Sequence, residues 1–222
     1  MDVLSMDEKL LLLINREWTS PGLDRVMAAA SSLDLWMPFL VAAGLALLIW
    51  GGFRGRVFLV GLGLVLALAD GLVSKTLKGI VDRPRPHQAL TGVRMVELER
   101  ARPRLLALFR EPRVKASRAS EGDVEGRSFP SSHTMNLFAA ATVGALCFRF
   151  GSLLFLPAAL VGYSRVYTGS HWPSDVVVSA VLAVGLALWL GALLELLWRR
   201  RGGQWLPRVH GAHPVLFGGG RP

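Results

Sequence analysis

Apolar residues in this chain come in blocks that leave no polar helical face, at 36–53, 57–78, 133–150, 153–167 and 176–198. A helix that is hydrophobic all round sits in surroundings without water. Each block approaches the roughly 20 residues that cross a hydrocarbon core, allowing for tilt and charged ends. The pattern predicts an all-α integral membrane bundle of about five transmembrane helices, with six as the upper count. A shorter run, 9–14, is followed by Asn15, Arg16, Glu17 and Trp18. It cannot span and predicts an interfacial N-terminal helix. Residues 22–33 mix apolar positions with Asp24, Arg25 and two serines, which places them at the membrane surface or packed beside the spans. The long connection 79–132 is extramembrane. Residues 1–202 form one domain in this reading, and 203–222, rich in Gly, Pro and His, form a flexible tail.

Composition supports the membrane assignment, with 52% hydrophobic and 18% charged residues. A single cysteine, Cys147, excludes an intramolecular disulfide framework. The net charge of +9 is not arranged with aromatic stacking positions or a nucleic-acid module, so no nucleic-acid partner is expected. Anionic lipid headgroups and phosphorylated substrates fit the charge better. Arg54, Arg56, Arg149 and Arg199 to Arg201 gather at one side of the alternating spans, which the positive-inside rule makes cytoplasmic. The opposite, extracytoplasmic face then holds the N-terminal segment, the 79–132 connection and the turn 168–174. That connection is itself basic, with eleven Lys/Arg against seven Asp/Glu, but long loops count weakly in orientation. The acidic opening residues predict that no signal peptide is cleaved and that the first span directs insertion. Short loops and one compact domain suggest a bacterial inner membrane.

Three polar clusters fall at span ends on the extracytoplasmic face. In the first, Lys78 ends a span and Arg83-Pro84-Arg85-Pro86 follows, where the prolines stop the helix and aim Arg85 back towards Lys78. Alone, such residues read as snorkelling anchors. In the second, Pro130-Ser131-Ser132-His133 precedes a span, where free N–H groups and the helix dipole make an anion site and His133 is a candidate proton donor. Plain N-capping explains the serines equally well. The third runs from Ser164-Arg165 to His171 and Asp175. A carboxylate four residues beyond a histidine can fix its tautomer and leave the other ring nitrogen to attack.

Lys78, Arg85 and Pro86, then Pro130, Ser131 and His133, then Ser164, Arg165, His171 and Asp175 resemble the three motifs of the type 2 phosphatidic acid phosphatase family in order and spacing. The resemblance covers 57–198, with one departure, Ser132, where the pattern usually has glycine. It implies that His171 attacks phosphorus, Asp175 orients it, and His133 protonates the leaving group and then activates water. It further implies that Lys78, Arg85, Arg165, Ser131 and Ser132 hold the phosphoryl oxygens. Three cations and a helix N-terminus can neutralise the equatorial oxygens, and no Asp/Glu cluster has metal-ligand spacing, so neither metal nor cofactor is expected. Hydrolysis of undecaprenyl diphosphate, phosphatidic acid, phosphatidylglycerol phosphate or a lipid A phosphate is the leading reading. Phosphoryl transfer to another lipid, and binding or transport of anionic lipids without chemistry, are the alternatives.

Other candidates carry less. Asp70 lies within a span two turns from Lys78, His87 follows the arginine motif, Trp18 and Trp172 read as interfacial anchors, and His210 and His213 fall on the far side. The insertion 87–128 has apolar residues at helical spacing over 93–109, broken at Pro103. It predicts a surface helix or pair of short helices over the site mouth.

Overall fold

The computed structural model describes residues 3–119 and 126–218. The chain opens with α1 (Val3–Leu12) and a π-helical turn (Leu13–Glu17), whose Leu11, Ile14 and Asn15 are buried within the protein. The expected interfacial helix is therefore built into the fold. α2 (Pro21–Ser31) starts where Ser20 accepts a hydrogen bond from the Leu23 amide at 3.2 Å, with Pro21 at the first helical position, and it packs on α8 (Phe155–Tyr167). α3 (Leu33–Trp50) has a single buried residue, Leu35, and exposes Trp36, Phe39, Leu40, Ile49 and Trp50. Only an apolar solvent accommodates such a surface.

α4 (Gly52–Leu68) runs through a wide π-helical segment (Ala69–Ser74) into α5 (Lys75–Val81), and after a short break comes the single turn α6 (Pro86–Ala89). α7 (Ser132–Cys147) is the central helix, half of its residues buried against α4, α8 and α9 (Pro173–Trp205). Small side chains permit this closeness; a Cβ at Gly151 would stand 1.9 Å from the Gly144 carbonyl oxygen. Among the described residues, three helical stretches are long and apolar enough to cross a membrane: Leu33–Trp50, Gly52–Ala89 and Pro173–Trp205. α7 and α8, with 16 and 13 residues, are shorter than the blocks expected to span.

Two further expectations are corrected. The fold is not wholly helical, because the insertion forms an antiparallel hairpin of β1 (Arg94–Glu97) and β2 (Arg113–Ala116), with a 3-10 helix (Arg104–Phe109) in its connection. Val96 and Leu98 are buried while Glu97 between them is exposed, a two-residue alternation that the wider spacing had masked. Beyond Gly202, α9 continues to Trp205 and α10 (Pro207–Ala212) folds back. There Trp198 Nε1 donates to the His213 carbonyl at 2.8 Å and Glu195 accepts from the Leu216 amide at 2.8 Å, so the described part of the tail is docked. At 33 residues α9 is about 50 Å long. That exceeds the roughly 30 Å core and leaves a turn or more outside it for α10 to cover.

Candidate active site

The C-terminal ends of α5 and α8 and the N-terminal ends of α7 and α9 meet at one end of the bundle, and all three sequence clusters meet with them. Pro173 opens α9, and the Asp175 carboxylate caps that first turn by accepting from the Trp172 amide at 3.1 Å. His171, just before this turn, is 3% exposed. Its Nδ1 lies 2.7 Å from the Ser128 carbonyl oxygen, an acceptor only, so Nδ1 carries the proton and Nε2 keeps its lone pair. Asp175 Oδ2 stands 3.9 Å from the same Nδ1, too long for a hydrogen bond. The main-chain carbonyl, rather than the carboxylate, thus holds the ring directly, and Asp175 supplies charge beside it. Burial pushes the His171 imidazole down to about 4, and the guanidinium groups of Arg165 and Arg85 act in the same direction against Asp175.

Asp175 is itself held from several sides. Ser128 Oγ donates to it in a short hydrogen bond, and Arg83 Nη1 donates at 2.7 Å. Arg83 also reaches Asp7 Oδ2 at 2.6 Å and Ser174 Oγ at 2.8 Å, while its guanidinium lies 4.9 Å from the Trp172 ring centroid. Asp7, on α1, accepts from the Ser174 amide at 2.9 Å. Trp172 Nε1 donates to the Pro84 carbonyl at 2.9 Å, so Trp172 clamps the arginine motif to the α9 turn from inside the protein instead of anchoring at an interface. The Ser128 amide donates to the Arg83 carbonyl at 2.9 Å, and Gly126 allows this approach, since a Cβ there would lie 2.3 Å from Asp82 backbone atoms.

Arg85, His133 and Arg165 line one open cavity of about 1490 Å³ together with His87, Thr168 and Ser170. Arg165 Nη1 donates to Ser31 Oγ, and its buried Nε has no hydrogen-bond partner among the described residues. Lys78 Nζ donates to Ser132 Oγ at 2.8 Å, and Ser132 Oγ is 3.0 Å from Ser74 Oγ. The serine at the position of the usual glycine therefore tethers the lysine. Ser131 is fully buried, its amide donating to Ser179 Oγ at 2.8 Å and its hydroxyl accepting from Thr134 Oγ1 at 3.0 Å. It is bound up in the α7–α9 contact, away from the cavity wall. His87 Nδ1 is 2.9 Å from the Gly169 carbonyl, Asp70 lies exposed on the π-helical segment, and His213 stacks on Phe53 at the far end. Among the described residues no group of three or more His, Cys, Asp or Glu could hold a metal ion.

Residues 58–199 match the PAP2 superfamily. The chain belongs to it. Among similar members of known name, the lipid A 4'-phosphatase of Bacteroides thetaiotaomicron is 27% identical over 191 residues, which cover 83% of this chain and 75% of that protein. YbjG of Escherichia coli K12, named for an expected undecaprenyl-diphosphatase activity, is 35% identical over 94 residues, covering 40% of this chain and 44% of the relative. The crystal structure of Aquifex aeolicus LpxE superposes with a TM-score of 0.55 at 27% identity, covering 82% of this chain and 92% of that one. With its apolar helices, this PAP2 chain is a membrane protein.

Sequence reasoning gave no role to Asp7, Arg83, Ser128 or Ser174. Arg83 was visible inside the arginine motif, but its partners Asp7 and Asp175 are 76 and 92 residues away. Ser128 acts partly through its main chain, which no side-chain pattern reports.

Proposed function

We propose that this PAP2 protein hydrolyses a phosphate from a membrane lipid through a phosphohistidine on His171. Nε2 of neutral His171 attacks phosphorus, the bond from phosphorus to the lipid oxygen breaks, and His133 gives its proton to the leaving oxygen. Water then attacks the phosphohistidine, His133 takes the proton, and phosphate leaves with His171 neutral again. The Nδ1–H bond to the Ser128 carbonyl and the nearby Asp175 charge stabilise the cationic ring of the intermediate. Arg85 and Arg165 hold the phosphoryl oxygens, with Lys78 poised beside Ser132, in place of a metal ion. The unpartnered Arg165 Nε is a donor that a phosphoryl oxygen would satisfy.

The observation that carries this reading is the convergence of Arg85, His133 and Arg165 on one cavity beside the buried, tautomer-fixed His171. The names of the relatives support a lipid phosphate or diphosphate as the substrate. In the membrane we take α3, α4 with α5, α7, α8 and α9 as five spans, the cavity opening extracytoplasmically because Arg54, Arg56, Arg149 and Arg199 to Arg201 lie at the opposite end. The test is phosphate release in EDTA by wild type and His171→Ala from undecaprenyl diphosphate, phosphatidic acid, phosphatidylglycerol phosphate and a lipid A phosphate. Release by wild type alone supports the mechanism. Equal release by both removes His171 as nucleophile.

A further inference from the structure

The cavity over the motif residues is larger, and more basic, than one reacting phosphate needs. Its 1490 Å³ exceeds the roughly 300–1,000 Å³ of ordinary ligand pockets. Its lining contains eight Lys/Arg and two carboxylates, Asp34 and Glu97. Arg85 and Arg165 belong to the motif floor. Arg104 is used structurally, 2.6 Å from Asp34 and bonded to Ser32 Oγ and the Glu99 carbonyl.

The other five, Arg100, Arg102, Arg110, Arg113 and Lys115, come from the hairpin and its connection, a segment separate from the motif floor, and line the same cavity as a basic wall. Arg113 reaches Glu99 only at 3.7 Å, and Arg100, Arg102 and Lys115 have no carboxylate partner among the described residues. Like charges crowded on one concave wall repel each other and focus a positive potential into the cavity. A bound anion offsets that repulsion.

We propose that this wall is a second anion subsite, which holds a separate anionic group on the far side of the substrate headgroup while the motif floor holds the phosphate to be cleaved. The proposal rests on the phosphatase reading above and narrows its substrate to lipids with two anionic groups set apart on one bulky headgroup. A diphosphate serves the wall poorly, because its two phosphorus atoms share one oxygen and both stay at the floor. A phosphorylated sugar headgroup with a second phosphate or carboxylate matches both the volume and the two sets of cations.

The test compares wild type with the triple variant Arg102→Gln, Arg113→Gln, Lys115→Gln, and with the charge-retaining Arg102→Lys, Arg113→Lys, in lipid nanodiscs. Substrates are a disaccharide glycolipid phosphorylated at both ends and phosphatidic acid, with inorganic phosphate as competitor. The expected result is a KM for the glycolipid raised about tenfold or more in the triple variant with kcat within about twofold, near-normal values in the lysine variant, and no change on phosphatidic acid. An equal rise in KM on both lipids would reduce the wall to a general attraction for anionic membranes and overturn the proposal. So would an unchanged glycolipid KM, whether or not inhibition by inorganic phosphate is relieved. Equilibrium binding of the glycolipid is measured in parallel. If wild type cleaves no lipid the phosphatase reading fails by itself, and binding weakened tenfold by the triple variant still supports the subsite, whereas equal binding overturns it.

Discussion

The two ends of this bundle are held together by different means. At the far end and through the middle, Phe58 and Val65 of α4 and Ala69 of the π-helical segment meet Met135, Ala139 and Val143 of α7 and Ala183, Ala187 and Leu190 of α9, an apolar contact that includes four alanines. Its buried Thr142 only bonds back to its own helix, at Phe138, 2.8 Å away. At the site end, Leu11, Met27, Leu35, Val93, Val96 and Tyr167 form a second cluster threaded with polar links between distant segments. Asn15 donates to the carbonyls of Arg94 and Tyr167 at 2.9 and 2.7 Å and accepts from the Arg94 amide at 2.8 Å. Asp24 takes Arg94 at 2.7 Å and the Tyr167 hydroxyl at 2.5 Å. Apolar packing suffices where lipid is the solvent, but a site that must hold cations and a neutral histidine in fixed positions needs directional bonds to the loops that carry them.

Substitutions can test that contrast. His171→Ala should lower kcat by on the order of 10⁴-fold or more, while the protein still folds and unfolds cooperatively. Arg83→Ala should cost about 10²-fold in kcat with little change in KM, by letting Asp175 and the α9 turn shift. It should also cost up to about 3 kcal/mol of stability, since Asp175 is fully buried and loses its charge partner. A kcat near wild type would mean that Ser128 and the Trp172 amide hold Asp175 unaided. Asn15→Leu should destabilise by about 3 kcal/mol in denaturant unfolding, because three main-chain groups, the buried Tyr167 carbonyl among them, lose partners at once. Thr142→Val, matched in burial at the other end, should stay within about 0.5 kcal/mol. Comparable losses at both positions would erase the distinction.

Acid should separate the ends as well. With His171 held at about 4 against an ordinary 6.5, the unfolded state binds more protons between those values. Stability therefore falls as pH drops through that window, by roughly 1.4 kcal/mol per unit from this group. The kcat/KM profile should carry no His171 ionisation between pH 5.5 and 7.5, and that ionisation should enter it only as pH approaches 4. In Arg165→Gln the apparent ionisation should move up, since one opposing charge is gone. Ser132→Gly carries the smallest expected effect, within about threefold in kcat, as Lys78 loses a neutral tether but no charge partner.

The helical bundle and the residues of the three clusters were legible in the sequence because both depend on local pattern: uninterrupted apolar blocks, prolines at helix ends, and short fixed spacings. The alternation of spans was enough to bring Lys78, Arg85, His133, Arg165, His171 and Asp175 to one end. The hairpin was misread because Val93 and Val96 sit three apart, a spacing that suits a helix, while the strand alternation covers only a few residues and pairs with 113–116 across a gap no local window sees. Likewise, nothing near His171 in the chain announces that a carbonyl from residue 128 holds its ring, or that Asp7 of the first helix steadies the arginine beside its carboxylate. Local sequence determined which side chains reach the end that holds the candidate site, since helix period and membrane thickness are local rules. Only the tertiary structure decided which of them touch, and that the insertion folds back as a basic wall over them, because those contacts join segments whose separation along the chain carries no periodic signal.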